Sequence, residues 1–182
     1  MKVGVLVGSL RRESFSKKIA KNVKKLFPET YEVEMIEIGH LPFYNQDFDD
    51  DNEVPESFVQ FRKEMMAFDA FLFVTPEYNR SVPAVLKNAL DVGSRPKTDN
   101  VWNGKPAAII SQSPGNLGGF GANHHLRQTL TCLNMPVVQQ PEMYLSKSAQ
   151  LLDADGKMNN ESTVIFLQGF VDVFVGQIEN HA

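Results

Sequence analysis

Residues 3–20 read VGVLVGSLRRESFSKKIA, and this stretch decides the fold of the chain. Its first part, residues 3–7, is apolar and rich in β-branched side chains, which is typical of a strand buried on both faces. A polar loop comes next, and Ile19 and Ala20 then begin a helical apolar pattern. A loop between a parallel strand and a helix lies at the helix end that carries unpaired N–H groups and a positive dipole. The stretch therefore predicts a strand, a binding loop and a helix in succession.

The loop after this first strand has side chains suited to a phosphate, namely Ser9, Arg11, Ser14 and Ser16. Hydroxyl groups and a guanidinium beside helix N–H groups bind phosphate oxygens. The loop is neither a Walker loop nor a dinucleotide fingerprint, because Gly8 is the only glycine between the strand and the helix. The alternative interpretation is an ordinary helix start, with Ser14 or Ser16 as the N-cap and Arg11 in solvent.

Length and composition predict one domain over residues 1–182. Apolar residues make up 42% of the chain and charged residues 22%, as in soluble globular proteins. The net charge of −4 argues against nucleic acid or an anionic membrane as a partner, and we expect no apolar run of transmembrane length. The single cysteine, Cys132, excludes an internal disulfide, and its helical apolar surroundings predict a buried position. We expect a cytoplasmic protein.

Apolar segments that fit buried strands alternate with helical patterns along the chain. The predicted strands are residues 3–7, 32–38, 70–74, 107–110 and a short one near 136–138. This alternation predicts an α/β fold with a doubly wound, five-stranded parallel sheet and right-handed crossovers. In the flavodoxin-like strand order 2-1-3-4-5, ligands bind beyond the carboxyl ends of the strands, at the switch point between strands 1 and 3.

Three polar or glycine-rich loops converge at that switch point, covering residues 9–16, 75–81 and 111–119. In the second loop, Tyr78 can stack on a planar ligand while Asn79 and backbone N–H groups meet its polar edge. An exposed tyrosine in an ordinary turn is the alternative. In the third loop, glycines allow the backbone to approach the ligand closely. A planar molecule that carries a phosphate, such as FMN, would span the three loops.

These loops resemble the NADPH-dependent FMN reductase family of flavodoxin-like proteins, close to its chromate-, quinone- and azo-reducing members. The resemblance rests on Gly8-Ser9-x-Arg11-x-x-Ser14-x-Ser16, Thr75-Pro76-Glu77-Tyr78-Asn79, Ser81-x-Pro83-Ala84-x-Leu86-Lys87-Asn88-Ala89-Leu90-Asp91 and Ser113-x-Gly115-x-x-Gly118-Gly119. The matching blocks cover most of the first two-thirds of the chain, and the Pro-Glu-Tyr-Asn block with its helix is the most specific.

The resemblance implies bound FMN, with NADPH or NADH as co-substrate. It places the FMN phosphate at Ser9, Arg11, Ser14 and position 16, where relatives more often have asparagine. It also places Pro76, Glu77, Tyr78 and Asn79 beside the isoalloxazine ring, and residues 113–119 with Ser113, Gly115, Gly118 and Gly119 at its other side. Phe15 is included among the cofactor-binding residues. The family commonly forms dimers or tetramers, for which Phe43, Tyr44 and Tyr144 would suit an interface.

The implied reaction is hydride transfer from a nicotinamide to the flavin and then to a small acceptor, such as a quinone, chromate, an azo compound or free flavin. Because the chain has no second phosphate fingerprint, donor and acceptor should share one open flavin face, which predicts ping-pong kinetics. No catalytic side chain and no metal site are expected, since the acidic run 47–51 lacks the spacing of a calcium loop. The alternatives are a flavodoxin-type electron carrier and a non-enzymatic nucleotide-binding module.

Overall fold

A computed structural model, which describes residues 1–181, contains a five-stranded parallel sheet in the order β2-β1-β3-β4-β5. The strands are β1 Lys2–Val7, β2 Glu32–Ile36, β3 Ala70–Pro76, β4 Ala107–Gln112 and β5 Met143–Leu145. The helices are α1 Phe15–Val23, α2 Asp47–Asp50, α3 Glu56–Met66, α4 Ala84–Gly93, α5 Phe120–Cys132 and α6 Glu161–Glu179. The predicted doubly wound, flavodoxin-like α/β fold is confirmed.

The central strands bury apolar side chains on both faces, so helices cover both sides of the sheet. On one side, Val5 and Leu72 belong to a core that also contains the apolar faces of α1 and α6. On the other side, Leu6 and Phe73 share a core with α3, α4 and α5. Because neither face of these strands meets water, their sequences are continuous apolar runs instead of alternating ones.

The fifth strand lies later in the chain than predicted. Residues 136–138 only touch the sheet, where the Ala107 N–H donates to the Pro136 carbonyl at 2.8 Å and the Val138 N–H donates to the Ala107 carbonyl at 2.9 Å. Pairing stops after Val138, and the chain bends at residues 140–141. It returns as β5, which pairs with the far end of β4.

Cys132 is exposed, so the prediction that it is buried is wrong. The buried face of α5 carries Ala122, Leu126 and Leu130, which recur every four residues. Cys132 follows Leu130 by two positions, or about 200° around the helix. Its side chain therefore leaves on the opposite face.

Helix α6 has 19 residues and, by length and composition alone, is the one helix within residues 1–181 that could cross a membrane, a test that core helices of soluble proteins also pass. It packs Leu167, Phe170, Val171 and Phe174 into the core beside α1. The apolar residues on this side of α6 cover one face of the sheet. The exposed side of α6 carries Ile165, Phe166 and Val173.

The segment between β2 and α3 is fastened to both neighbouring helices. Asn88 of α4 accepts a hydrogen bond from the Tyr44 N–H at 2.8 Å and donates to the Pro42 carbonyl at 2.8 Å. Asp49 forms a two-pronged ion pair with Arg62 of α3, at 2.8 and 2.9 Å. The hydrogen bonds from Arg62 hold the pKa of Asp49 below its usual value. Phe43, between these anchors, is 77% exposed.

Candidate functional site

The carboxyl ends of β1, β3 and β4 surround a cavity of about 220 Å³. Most of its lining consists of residues that were predicted to bind the cofactor, namely Ser9, Arg11, Ser14, Phe15, Pro76, Glu77, Tyr78 and Ser113. Gln112 and Pro114 complete the lining. The three loops therefore meet at one cavity, at the switch point of the sheet.

A larger cleft of about 670 Å³ lies between α4 and α5, and none of the three loops lines it. Its walls carry Lys87, Asp91 and Arg95, of which Lys87 and Asp91 are already paired at 2.7 Å. We assign the functional site to the smaller cavity, because it lies at the strand ends where the helix N-termini and loop N–H groups point.

The start of α1 presents hydrogen-bond donors to the cavity. Ser14 is the N-cap, 2% exposed, and its Oγ accepts a hydrogen bond from the Lys17 N–H at 3.1 Å. The Ser14 hydroxyl hydrogen remains available to a ligand. Arg11 is exposed, and within residues 1–181 its side chain lies within 4 Å of no carboxylate. This corner suits an anion, because within residues 1–181 the Ser14 hydroxyl donates no hydrogen bond and the Arg11 guanidinium has no carboxylate partner.

Ser16 lies behind that corner and does not line the cavity. It is fully buried, and its Oγ accepts a hydrogen bond of 2.9 Å from Gln112 Nε2. Its position fixes the side chain of a cavity residue, because Gln112 belongs to the lining.

The second loop contains a tight hairpin turn at residues 78–81. Tyr78 and Ser81 exchange backbone hydrogen bonds of 2.9 and 3.0 Å. Between them, Asn79 and Arg80 have φ angles of +50° and +66°. Two consecutive left-handed residues make a type I′ turn, a conformation that is costly without glycine. The turn holds Tyr78 at the cavity with 46% of its surface exposed, while Asn79 lies outside the lining.

Glu77 joins the second loop to the first turn of α5, which directly follows the third loop. Its Oε2 accepts a hydrogen bond from the Ala122 N–H in the first turn of α5 at 3.1 Å, and its Oε1 lies 3.1 Å from the Arg80 guanidinium. A carboxylate at a helix N-terminus is stabilised by the unpaired N–H groups and by the helix dipole. The sequence predicted that Glu77 lies beside the cofactor, and the structure adds that its carboxylate connects the second loop to the start of α5.

Replacing Glu77 by alanine is expected to lower the free energy of unfolding by about 1.5–3 kcal/mol, because a charge-assisted hydrogen bond to Ala122 is lost. Glu77→Gln retains an acceptor oxygen and is expected to recover more than half of that loss. Urea unfolding of both variants measures the difference. Equal midpoints for Glu77→Ala and the unchanged protein would show that this carboxylate does not stabilise the contact between the second loop and α5.

None of the three predicted glycines of the third loop lines the cavity, and Gly118 and Gly119 face the sheet. A Cβ at Gly118 would lie 2.8 Å from the backbone of Tyr144, and one at Gly119 would lie 3.0 Å from Ser111 Cβ. Both residues have positive φ angles, which bend the chain into α5. The Gly115 carbonyl accepts the Lys147 N–H at 2.9 Å, so residues after β5 brace this loop. The sequence assigned no role to that segment.

Two lining residues were missed from the sequence, Gln112 and Pro114. Gln112 ends β4, whose other side chains are apolar or small, and it is 4% exposed. A long polar side chain at the carboxyl end of a buried strand was the available signal. Its Oε1 is buried and has no hydrogen-bond partner within residues 1–181.

An aromatic cluster lies beside the third loop and outside the cavity lining, with Phe120 and His124 exposed and Tyr144 half-buried. Phe120, His124 and Tyr144 pack with ring centroids 4.3–6.2 Å apart, and His124 Nε2 lies 3.1 Å from the Tyr144 hydroxyl. Burial, assisted by Glu142, raises the pKa of Tyr144 to about 12. Tyr144 is therefore a neutral phenol at physiological pH. His125 is exposed too, and its Nδ1 lies 2.9 Å from Ser81 Oγ.

Comparison with known proteins agrees with this geometry. The family model described as NADPH-dependent FMN reductase matches residues 1–150. A quinone reductase of Pseudomonas putida is 51% identical over 177 residues, covering 97% of this chain and 94% of the relative. A 2-hydroxy-1,4-benzoquinone reductase of a Burkholderia species is 43% identical over 180 residues, covering 99% and 97%.

A solved structure is also similar throughout. FerB, a flavoenzyme NAD(P)H:(acceptor) oxidoreductase from Paracoccus denitrificans, superposes with a TM-score of 0.91 at 43% identity. The match covers 99% of this chain and 98% of FerB. With the strand order, the cavity at the switch point and these matches together, the chain belongs to the NADPH-dependent FMN reductase family.

Proposed function

We propose that the enzyme transfers reducing equivalents from NADPH or NADH to a small acceptor, a quinone in the first place, with chromate, azo compounds and free flavin as further candidates. The observation that carries this proposal is the cavity at the ends of β1, β3 and β4, whose lining includes the exposed Tyr78 and Arg11, a side chain with no carboxylate within 4 Å in residues 1–181. The quinone reductase names of close relatives support the choice of acceptor.

The residues of the cavity fit FMN. Arg11 and the Ser14 hydroxyl offer a positive charge and a donor to a phosphate, beside the N-terminus of α1. Tyr78 offers an aromatic face to a planar ring, and the unpaired Gln112 oxygen offers an acceptor to a hydroxyl or an N–H group. A simple inorganic anion would not contact the aromatic ring of Tyr78, so the lining fits a planar phosphate ester better.

We assign cofactor binding to Ser9, Arg11, Ser14, Phe15, Ser16, Pro76, Glu77, Tyr78, Asn79, Ser113, Gly115, Gly118 and Gly119. Ser16, Asn79 and the three glycines contribute by fixing the loops, since they lie outside the lining. FMN, when bound, supplies the hydride chemistry. The protein holds and orients it, and no side chain is assigned a catalytic proton transfer.

Reductant and acceptor use the same open side of the cavity in turn, so initial-rate plots should be parallel, as in ping-pong kinetics. Purified protein is expected to show flavin absorbance, to bleach on anaerobic titration with NADPH or NADH, and to oxidise the nicotinamide steadily with a quinone. A flavoprotein without steady turnover would be an electron carrier, and a colourless protein that ignores added FMN would be a binding module. Either result would overturn the proposal.

We propose that residues 1–182 form a single FMN-binding domain that works in the cytoplasm as a homodimer or homotetramer. The neighbouring exposed side chains Ile165 and Phe166 of α6 support self-association, because contiguous exposed apolar surface favours protein contacts. The single cysteine supports a reducing compartment, where disulfides are rare.

A further inference from the structure

Gln112 is nearly completely buried, lines the cavity and satisfies only part of its hydrogen-bonding capacity. Its side chain amide has two polar ends, and only Nε2 has a partner, the Ser16 hydroxyl at 2.9 Å. Oε1 is buried without a partner within residues 1–181. Buried polar groups in folded proteins are nearly always hydrogen-bonded, so an unpaired acceptor at a cavity wall is a candidate contact for a ligand bound in that cavity.

The anchor at Ser16 fixes where this amide lies. Ser16 is in the first turn of α1, two residues after the Ser14 cap, where the phosphate is proposed to bind. At the other end, Gln112 is the register partner of Pro76, which begins the loop beside the proposed ring site. The amide of Gln112 therefore lies between the phosphate end and the ring end of the cavity.

The chemistry of Oε1 selects among the parts of FMN. A carboxamide oxygen only accepts hydrogen bonds, and phosphate oxygens at neutral pH are acceptors too, so the two do not pair. The hydrogen-bond donors of oxidised FMN are the hydroxyl groups of the ribityl chain and the N3–H group of the ring. Of these, only the ribityl hydroxyls lie in the middle of the cofactor, between the phosphate and the ring, and the position of Gln112 therefore favours them.

We propose that the Gln112 carboxamide binds a ribityl hydroxyl of FMN, held in position by Ser16. This inference rests on the proposed FMN site and adds a residue that contacts the sugar chain. It also gives Ser16 a role: the residue positions Gln112 instead of touching the phosphate.

The test uses three flavins with apoprotein and measures dissociation constants by quenching of flavin fluorescence. FMN has the ribityl chain and the phosphate, riboflavin has the chain alone, and lumiflavin has only the ring. Gln112→Leu is expected to weaken FMN and riboflavin binding by the same factor, about 3- to 10-fold for one neutral hydrogen bond, and to leave lumiflavin binding unchanged. Loss for FMN alone would assign the amide to the phosphate, and equal loss for all three flavins would assign it to the ring. Either result, or no loss at all, overturns the inference.

Gln112→Glu is the matched variant, because it keeps an acceptor oxygen and the length of the side chain. It is expected to bind riboflavin within about twofold of the unchanged protein while losing FMN affinity, since its charge repels the phosphate. Ser16→Ala should give the pattern of Gln112→Leu with a smaller factor. Far-UV circular dichroism of each apoprotein verifies folding. A Gln112→Glu variant that binds riboflavin as weakly as Gln112→Leu would contradict the acceptor role.

The same panel separates this inference from the proposed function. Arg11→Ala should weaken FMN binding and leave riboflavin binding unchanged, because it removes a phosphate contact only. If Arg11→Ala behaves so while Gln112→Leu has no effect, the FMN site stands and the role of Gln112 falls. If the unchanged protein binds none of the flavins, the proposed function falls with it.

Discussion

Replacing both Arg11 and Ser14 by alanine is expected to weaken FMN binding at least about a hundredfold. Each side chain offers a hydrogen bond to a charged phosphate, and such bonds contribute about 1.5–3 kcal/mol each. We use the lower end because Arg11 is exposed and solvent screens its charge. Together the losses amount to about 3 kcal/mol, or two orders of magnitude in the dissociation constant. Titration of apoprotein with FMN measures the change.

Two control variants separate the phosphate contacts from helix stability. Arg12→Ala removes a neighbouring charge that does not line the cavity, and it should leave FMN affinity within about twofold. Ser14→Asp keeps the N-cap acceptor for the Lys17 N–H but places a negative charge against the phosphate, so affinity should fall while thermal stability is retained. If the double variant kept full flavin occupancy at low FMN concentration, the assignment of the phosphate to Arg11 and Ser14 would be wrong.

Gly118→Ala is expected to lower the free energy of unfolding by about 2–5 kcal/mol. The φ angle of +58° costs an alanine about 1–2 kcal/mol, and the new Cβ would lie 2.8 Å from the Tyr144 backbone, an overlap that costs about 1–3 kcal/mol more. Denaturant unfolding monitored by circular dichroism measures the loss. Because the third loop borders the cavity, FMN affinity should fall in parallel.

Gly104→Ala is the matched control for this change. Gly104 has a φ angle of +74° but no atom within 4 Å of the position of a new Cβ. It should therefore show the conformational cost of about 1–2 kcal/mol without the overlap. If the two variants lose equal stability, the close contact between the third loop and Tyr144 has no energetic weight.

The sheet was predictable from the sequence because its central strands are buried on both faces. The sequences of such strands are uninterrupted apolar runs, and predicted helices separate them along the chain. The fifth strand was misplaced because β5 is an edge strand of three residues, Met143–Leu145, with a short apolar segment just before it that pairs only briefly. The burial of Cys132 was predicted wrongly because an apolar segment in the sequence does not determine which side of α5 faces the sheet.

The position of the cavity was predictable as well, since parallel strands deliver their following loops to one edge. The partners of individual side chains were not. Glu77 meets Ala122 across 45 residues of sequence, and Gln112 meets Ser16 across 96. Contacts between residues so far apart in sequence depend on how the helices pack against the sheet. A local sequence pattern does not determine that packing. The local sequence pattern therefore predicts where the loops lie, whereas tertiary packing determines which side chains in them contact each other.

The exposed position of Cys132 makes the chain convenient for spectroscopy. It is the only cysteine in the sequence, so a maleimide dye or spin label would attach at one place without any prior mutagenesis. Cys132 ends α5 while the third loop precedes its start, and 13 residues at about 1.5 Å each place the label roughly 20 Å along the helix from that loop. A reporter at that range would sense the flavin by energy transfer without obstructing its entrance.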